Sequence, residues 1–440
     1  MTYTDDAVLD AYSADSGMRC IRPMMVALPR NEEDVLRIAK HAIYNRIPII
    51  SRGGGTGLVG GAIGSGIMLD TRHLDGIIVH DDSVEVGAGV PKGMLDRVLK
   101  KHGRFLGPNP SVGGYCTVGG MIATNASGSR TLKYGSMIDS LLKVRIVTGR
   151  GSMSNMPKEM AEQVLSIARS ADRGRFPVVS KNSSGYRLDR ILNENDTHKI
   201  VAGSEGTLGV ITWARLKTHP LPDRRILYVL SYKDRQSAAK DCARMLRYSP
   251  SAVEFVDGTI LDQADAGETD SIDCVLMAEF ESDARMDGLQ GKLVIQTDDE
   301  VESNRWWAYR SHALAQSRRK LRENVQIEDA VVPSRSLGSL FQVIEDLKKK
   351  FGAKIIAYGH AGDANIHLRV ETGADPSVIS KYYFGRVLDL GGSISGEHGD
   401  GIVRVEFLQA QYGPINMEQF RRLKALFDPH NIMNPGTILS

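Results

Sequence analysis

Apolar residues along this chain fall into two recurring patterns, short continuous runs and longer stretches with helical spacing. Residues 24–51 read as strand, helix, strand: Val35, Ile38, Ala39, Ala42 and Ile43 repeat on one helical face behind the acidic first turn Glu32, Glu33 and Asp34. The second strand, 47–51, runs into Arg52 and a glycine cluster. A helix is predicted to open at Pro91, where proline suits a first turn, and to stop by Gly103. Leu141–Val147 reads as a buried strand, 149–156 as a loop, and 171–187 as an irregular stretch rich in Gly, Ser, Asn and Arg.

A new regime begins near Pro222. Strands over 226–231, 252–256, Cys274–Phe280, 325–332 and 354–358 alternate with helices over 234–248, 300–322 and 336–350. That alternation predicts an α+β domain with helices packed on one face of a sheet. After Asp400 the pattern returns to helix and closes on Asn434-Pro435-Gly436.

Length and composition narrow the classes. A chain of 440 residues suits roughly two or three domains, and 42% hydrophobic with 25% charged residues argues against bulk disorder. A net charge of +2 argues against a nucleic-acid footprint spread over the protein, and the run Arg318-Arg319-Lys320 reads as a solvated helix face. Cysteines at 20, 116, 242 and 274 form no C-x-x-C, which excludes a Cys-based zinc or iron–sulfur site and fits a reducing cytoplasm. Asp5 and Asp6 stand where a signal peptide would be basic and then apolar, and no stretch reaches about 18 uninterrupted apolar residues. The expectation is a cytoplasmic protein without a transmembrane segment, peripheral at most to a membrane.

Glycine changes the picture, because it clusters at 53–66, 113–120 and 203–209. The first cluster holds a literal G-x-G-x-x-G at Gly55, Gly57 and Gly60. A dinucleotide fold of the Rossmann type needs a helix directly after it, but Gly61, Gly64 and Gly66 follow, and then strand-like 67–70. No Gly-Lys-Ser/Thr closes a P-loop either. Two readings stay open here: a nest of backbone N–H groups for a pyrophosphate, or a tight connection with no ligand.

With the second and third clusters the chain resembles a known family. Pro108-Asn109-Pro110-Ser111, the run Thr117-Val118-Gly119-Gly120-Met121-Ile122-Ala123-Thr124-Asn125-Ala126-Ser127-Gly128, Lys133-Tyr134-Gly135, and Gly203-Ser204-Glu205-Gly206-Thr207-Leu208-Gly209-Val210-Ile211 are similar to the FAD-binding domain of the vanillyl-alcohol-oxidase flavoproteins. Within that family the similarity is to the branch of D-lactate dehydrogenase, D-2-hydroxyglutarate dehydrogenase and the D-type subunit of glycolate oxidase. The resemblance implies an α+β fold: a two-subdomain FAD-binding domain over 1–220, a substrate (cap) domain with an antiparallel sheet and a metal site over 221–400, and a helical segment over 401–440 returning to the first domain. It places FAD on Arg52, Gly53, Gly54, Gly55, Thr56, Gly57, Gly60, Gly61, Pro108, Gly114, Thr117, Gly119, Gly120, Thr124, Asn125, Ser127 and Gly128. The adenine side falls to Glu205, Gly209, Val210 and Ile211, and the flavin ring to Asn434. Some relatives attach FAD through a His in the first glycine loop; this loop has none, so non-covalent FAD is expected.

Chemistry-bearing residues gather later. His360 and His367 flank a Gly-Asp-Asn turn with strand-like sequence on each side, so a hairpin would bring them together. With Glu397 they form a His₂Glu set, the composition of open catalytic zinc sites. The resemblance assigns these three as ligands of a divalent metal, zinc ahead of manganese or iron, and His398 as the catalytic base. It also gives Arg310, after Trp306 and Trp307, the substrate carboxylate, a task that suits a bidentate guanidinium. Two departures stand out: Ala364 where a second Gly is usual, and Asp400, where an apolar residue is common and pocket polarity is at stake. The implied activity is oxidation of a small 2-hydroxy acid (D-lactate, glycolate or D-2-hydroxyglutarate) by hydride transfer to flavin. Electrons would then pass to a quinone, a cytochrome, an iron–sulfur partner protein or dioxygen, and a homodimer is compatible with this reading. The competing readings are a metal-dependent hydrolase of phosphate esters or nucleotides, a sugar or lactone oxidase on the same scaffold, and a non-catalytic flavin-binding component of a larger complex.

Overall fold

The computed structural model describes residues 1–261, 272–284, 286–321 and 326–439. Three larger sheets organise it, beside a two-stranded pair of Arg104–Phe105 with His219–Pro220. The first is the predicted strand–helix–strand: Met25–Ala27, helix Glu32–Asn45 capped by Asn31, and Ile49–Arg52, both strands parallel to the intervening Ile67–Asp70. Thr2–Tyr3 adds an antiparallel edge. The second sheet is antiparallel, ordered Ile77–Val79, Ser83–Gly87, Val210–Lys217, Leu141–Val147 and Met153–Ser154. Between its members run the helix Lys92–Lys101, with Pro91 at its N-cap, and the short helix Val118–Ala123, capped by Thr117.

The third sheet has seven antiparallel strands, ordered Lys292–Thr297, Ile226–Tyr232, Cys274–Phe280, Ala252–Asp257, Lys354–His360, Asn365–Glu371 and Gln326–Glu328. Its helices correct the sequence expectation. Arg235–Met245 and Leu337–Phe351 pack on the face that carries Phe255 and Leu276, while Glu300–Lys320 packs Trp306, Tyr309 and Ala313 on the opposite face, against Val256, Val275 and Met277. The central strands are buried on both faces, so their runs are nearly continuously apolar rather than alternating. Helix Glu300–Lys320 also presents Asn304, Trp307, Arg310 and Ser311 to a cavity. Arg319 and Lys320 are exposed at its end, as expected; Arg322, Val325 and the Arg318 side chain, all in expected elements, lie outside the described residues.

The tail returns to the first half of the chain. Within Val405–Phe427, kinked at Gly413-Pro414, Lys424 Nζ donates to Thr207 O at 2.8 Å and Asn416 Nδ2 to Asp172 O at 2.9 Å. Among the described residues no helix is long and apolar enough to cross a membrane.

Candidate active site

The first two glycine clusters, with Glu205 of the third, line one cavity of about 700 Å³ that also reaches His360, His367 and His398. The loop after Ile49–Arg52 and the segment before Val118–Ala123 approach so closely that a Cβ on Gly54 would lie 2.2 Å from Tyr115 O. Close backbone approach is what glycine permits there. A Cβ on Gly114, by contrast, would meet nothing within 4 Å, so that glycine leaves backbone open toward the cavity. Among the described residues, the N–H groups of 53–57 donate to no protein acceptor. Five successive unclaimed donors on a cavity wall suit a pyrophosphate, and this favours the nest over a plain connection.

Most of the expected FAD residues line this cavity: Gly53, Gly54, Gly55, Thr56, Gly57, Gly61, Gly114, Thr117, Gly120, Thr124, Ser127, Gly128 and Glu205. The others stand behind the wall. Arg52 donates to Ala62 O at 3.1 Å and Ala14 O at 2.8 Å, bracing the loop from outside. Gly60 donates to Asp15, Gly119 packs on Ala88, Pro108 is buried, and Asn125 donates to Asn182 O. Val210 and Ile211 open a strand of the second sheet, with Gly209 directly before it. Asn434 does not reach the cavity wall; its Nδ2 donates to Gly61 O at 2.9 Å and Glu205 O at 2.7 Å, tying two wall segments together.

At the inner end the hairpin does what its sequence suggests. Tyr358 pairs with His367 and His360 with Asn365, which sets the two imidazoles edge to face with centroids 5.3 Å apart. The tight turn places Ala364 at φ 51°, a left-handed position where a side chain costs about 1 kcal/mol. This accounts for the glycine usual there. Each ring is oriented from behind by a buried carboxylate. His360 Nδ1 lies 2.7 Å from Glu254 Oε1 and His367 Nδ1 lies 3.3 Å from Asp329 Oδ1. Their Nε2 atoms then converge on one oxygen, Glu397 Oε1, at 3.3 and 3.1 Å. Backing carboxylates of this kind fix the tautomer and aim a metal-ligating nitrogen. His398 stacks on His367 at 5.0 Å with its Nε2 3.8 Å from the same oxygen.

Asp329 also holds the Glu397 turn, accepting from the N–H groups of Glu397 and His398 at 2.9 and 2.8 Å. With His367, Glu397 and His398 it forms a group whose ligand atoms lie within 4.8 Å of one another. Geometry therefore offers two donor sets around Glu397, one with His360 and one with Asp329. The N–H donors already spent on Asp329 favour the set with His360, and leave Asp329 as the support of His367 and the Glu397 turn.

The electrostatics follow from this packing. Burial alone would raise the Glu397 carboxyl, but Lys181, His360 and His367 hold it well below its ordinary range. Burial likewise opposes ionisation of Asp329, yet His398 and His367 keep it strongly depressed. Burial pushes His398 down to about 4 against the pull of Asp329. Arg310 donates through Nε to Glu254 and stands 3.2 Å from His360 Nε2, over the Tyr358 ring. Asp400, where pocket polarity was at stake, is buried away from the cavity, and its Oδ2 accepts from Gly185 N–H at 2.7 Å.

Sequence reasoning missed four charged groups here: Glu254, Asp329, Lys181 and Arg130. Glu254 had a usable signal, a lone acid inside the apolar run 252–256. Lys181 had none, lying in the irregular segment.

Comparison with known proteins gives the family of the chain. Residues 23–156 match the family described as FAD binding domain, and 221–438 the family described as FAD linked oxidases, C-terminal domain. A D-lactate dehydrogenase of Archaeoglobus fulgidus is 32% identical over 98% of this chain and 96% of its own. Glycolate oxidase subunit GlcD of Bacillus subtilis is 29% identical over 95% and 89%. D-2-hydroxyglutarate dehydrogenase of Escherichia coli is 30% identical over 97% of this chain but 49% of its own. Among solved structures, an alkyldihydroxyacetonephosphate synthase shares the fold, with a TM-score of 0.70 at 19% identity over 99% of this chain and 82% of that one. The hydrolase reading is set aside by these matches. The chain belongs to the FAD-linked oxidases and is an FAD-dependent oxidoreductase of the branch that holds D-lactate dehydrogenase, glycolate oxidase subunit GlcD and D-2-hydroxyglutarate dehydrogenase.

Proposed function

We propose that the protein oxidises a small 2-hydroxy acid to the 2-oxo acid, with non-covalent FAD and a divalent cation held by His360, His367 and Glu397. The observation that carries this reading is the convergence of two carboxylate-backed Nε2 atoms on Glu397 Oε1, at the inner end of the glycine-walled cavity. When bound, FAD supplies a two-electron acceptor and the cation supplies Lewis acidity toward a hydroxyl oxygen. His398, turned toward Asp329 through Nδ1, takes the hydroxyl proton at Nε2. Arg310 binds the carboxylate with the N–H groups that Glu254 leaves unused, and this fixes which face of the α-carbon is presented. The loops 53–57 and 113–128 hold the pyrophosphate on backbone N–H groups.

The test is anaerobic flavin reduction by a panel of 2-hydroxy acids, before and after chelation. A yellow protein bleached by one of them, inert once chelated and restored by zinc or manganese, is the expected result. Indifference to chelation would remove the cation from the mechanism. Reduction by a sugar or lactone instead would remove the substrate class.

A further inference from the structure

Two guanidiniums line the cavity, and a neighbouring strand of one sheet holds each of them. Arg310 is clamped by Glu254, while Arg130 donates through Nε and Nη2 to the two oxygens of Glu279, both at 2.7 Å. Register places the clamps: Glu254 pairs with Met277 and Ala252 with Glu279. The glutamates therefore lie on one sheet face as diagonal cross-strand neighbours, about 7–8 Å apart at the backbone. Trp307, one turn before Arg310 on the same helix, stacks under Arg130 with 5.4 Å from Cζ to ring centroid and also lines the cavity.

The outer clamp carries a surplus of positive charge. Arg225 Nε lies 3.7 Å from Glu279, and Lys133 and Arg225 both reach Glu281, so three cations face two carboxylates. A bidentate clamp also engages only two of a guanidinium's five donors. Arg130 is thus preoriented, edged with unused N–H groups and set one strand diagonal away from Arg310. A single substrate carboxylate needs only one such group.

We propose that Arg130 anchors a second carboxylate, so that the preferred substrate is a short 2-hydroxy dicarboxylate rather than a monocarboxylate. This rests on the reading above, in which Arg310 holds the carboxylate beside the reacting carbon.

The experiment uses the flavin-loaded protein. D-2-hydroxyglutarate and D-malate are compared with D-lactate and glycolate as reductants, and glutarate with butyrate as unreactive probes titrated by the shift in flavin absorbance. The dicarboxylates are expected to lead by about tenfold or more in kcat/KM and in affinity. Arg130→Met alone strands the buried Glu279 charge, so it is paired with Glu279→Gln. The double variant should cut the dicarboxylate-to-monocarboxylate ratio by about 10- to 100-fold, mainly through KM. A wild-type preference for monocarboxylates overturns the proposal, as does an unchanged ratio in a folded, flavin-containing double variant. If no 2-hydroxy acid reduces the flavin yet glutarate still binds selectively through Arg130, the substrate reading fails while the second anchor stands.

Discussion

Lys181 and Glu397 form an ion pair in the interior: the ammonium, with no solvent exposure, stands 3.4 Å from Glu397 Oε2. The same Nζ reaches Asp363 Oδ2 at 3.5 Å and Gly128 O at 3.2 Å, and Ser127 Oγ donates to Glu397 Oε2 at 3.0 Å. One carboxylate oxygen is thereby claimed by the FAD-loop segment and its neighbour. Only Oε1 is left facing the imidazoles, so in the proposed metal site Glu397 would bind through one oxygen.

Replacing Lys181 by Met should leave two buried carboxylates short of a counter-ion. A loss of about 3–5 kcal/mol in urea unfolding is expected, together with lower divalent-metal content by mass spectrometry. An unchanged unfolding midpoint and metal content would show that the pair carries little.

His398→Ala should lower turnover by about 10²- to 10⁴-fold while the flavin stays bound. The two readouts are steady-state rate and flavin absorbance on the same preparation. Turnover near that of the wild type would take the proton-accepting role away from this ring.

The two kinds of glycine at the cavity separate in a cofactor-retention assay. In Gly54→Val the new side chain meets Tyr115 O, so the loops part and the ratio of flavin to protein absorbance should collapse. In Gly114→Ala the fold has room, and the melting temperature of the flavin-free protein should hold. Equal destabilisation by both would contradict the division.

Glu205 and Asp400 give stability a pH dependence. The N–H groups of Asp400 and Gly401 donate to the Glu205 carboxylate at 2.7 and 2.9 Å. Burial raises both acids, Glu205 to about 8 with help from the Asp400 charge, and Asp400 to about 6. A carboxyl raised on folding binds its proton more tightly in the native state. Its stabilising contribution is therefore complete below the unfolded value of about 4 and is lost as pH climbs through the folded values. The melting temperature should fall by several degrees between about pH 5 and about pH 9, and Asp400→Asn should flatten the decline. A wild-type curve that rises over this window would refute the assignment.

How much of the fold and the site is legible in the sequence depends on the range of the interaction. The hairpin that pairs His360 with His367 is local, because a turn between two strand-like runs leaves little choice of register. Glycine clusters announce close backbone approach in the same local way. Asp329 carries no local signal, and Glu254, though marked as a lone acid in an apolar run, shows no partner, because both roles depend on which strand lies beside the hairpin and no local pattern encodes that order. Helix Glu300–Lys320 packs on the face opposite the other two helices, where a single shared face is expected, for a related reason. A strand buried on both faces shows no alternation to reveal that a second layer exists. Arg130 and Lys181 belong to the half of the chain that the sequence marks for FAD, yet the carboxylates they pair with sit in the other half.

Asn434 joins Gly61 to Glu205 across 373 and 229 positions of sequence. During synthesis the glycine loop leaves the ribosome long before the residue that fastens it. The two wall segments thus stay untied until residue 434 has emerged and the segment that carries it has folded back onto them.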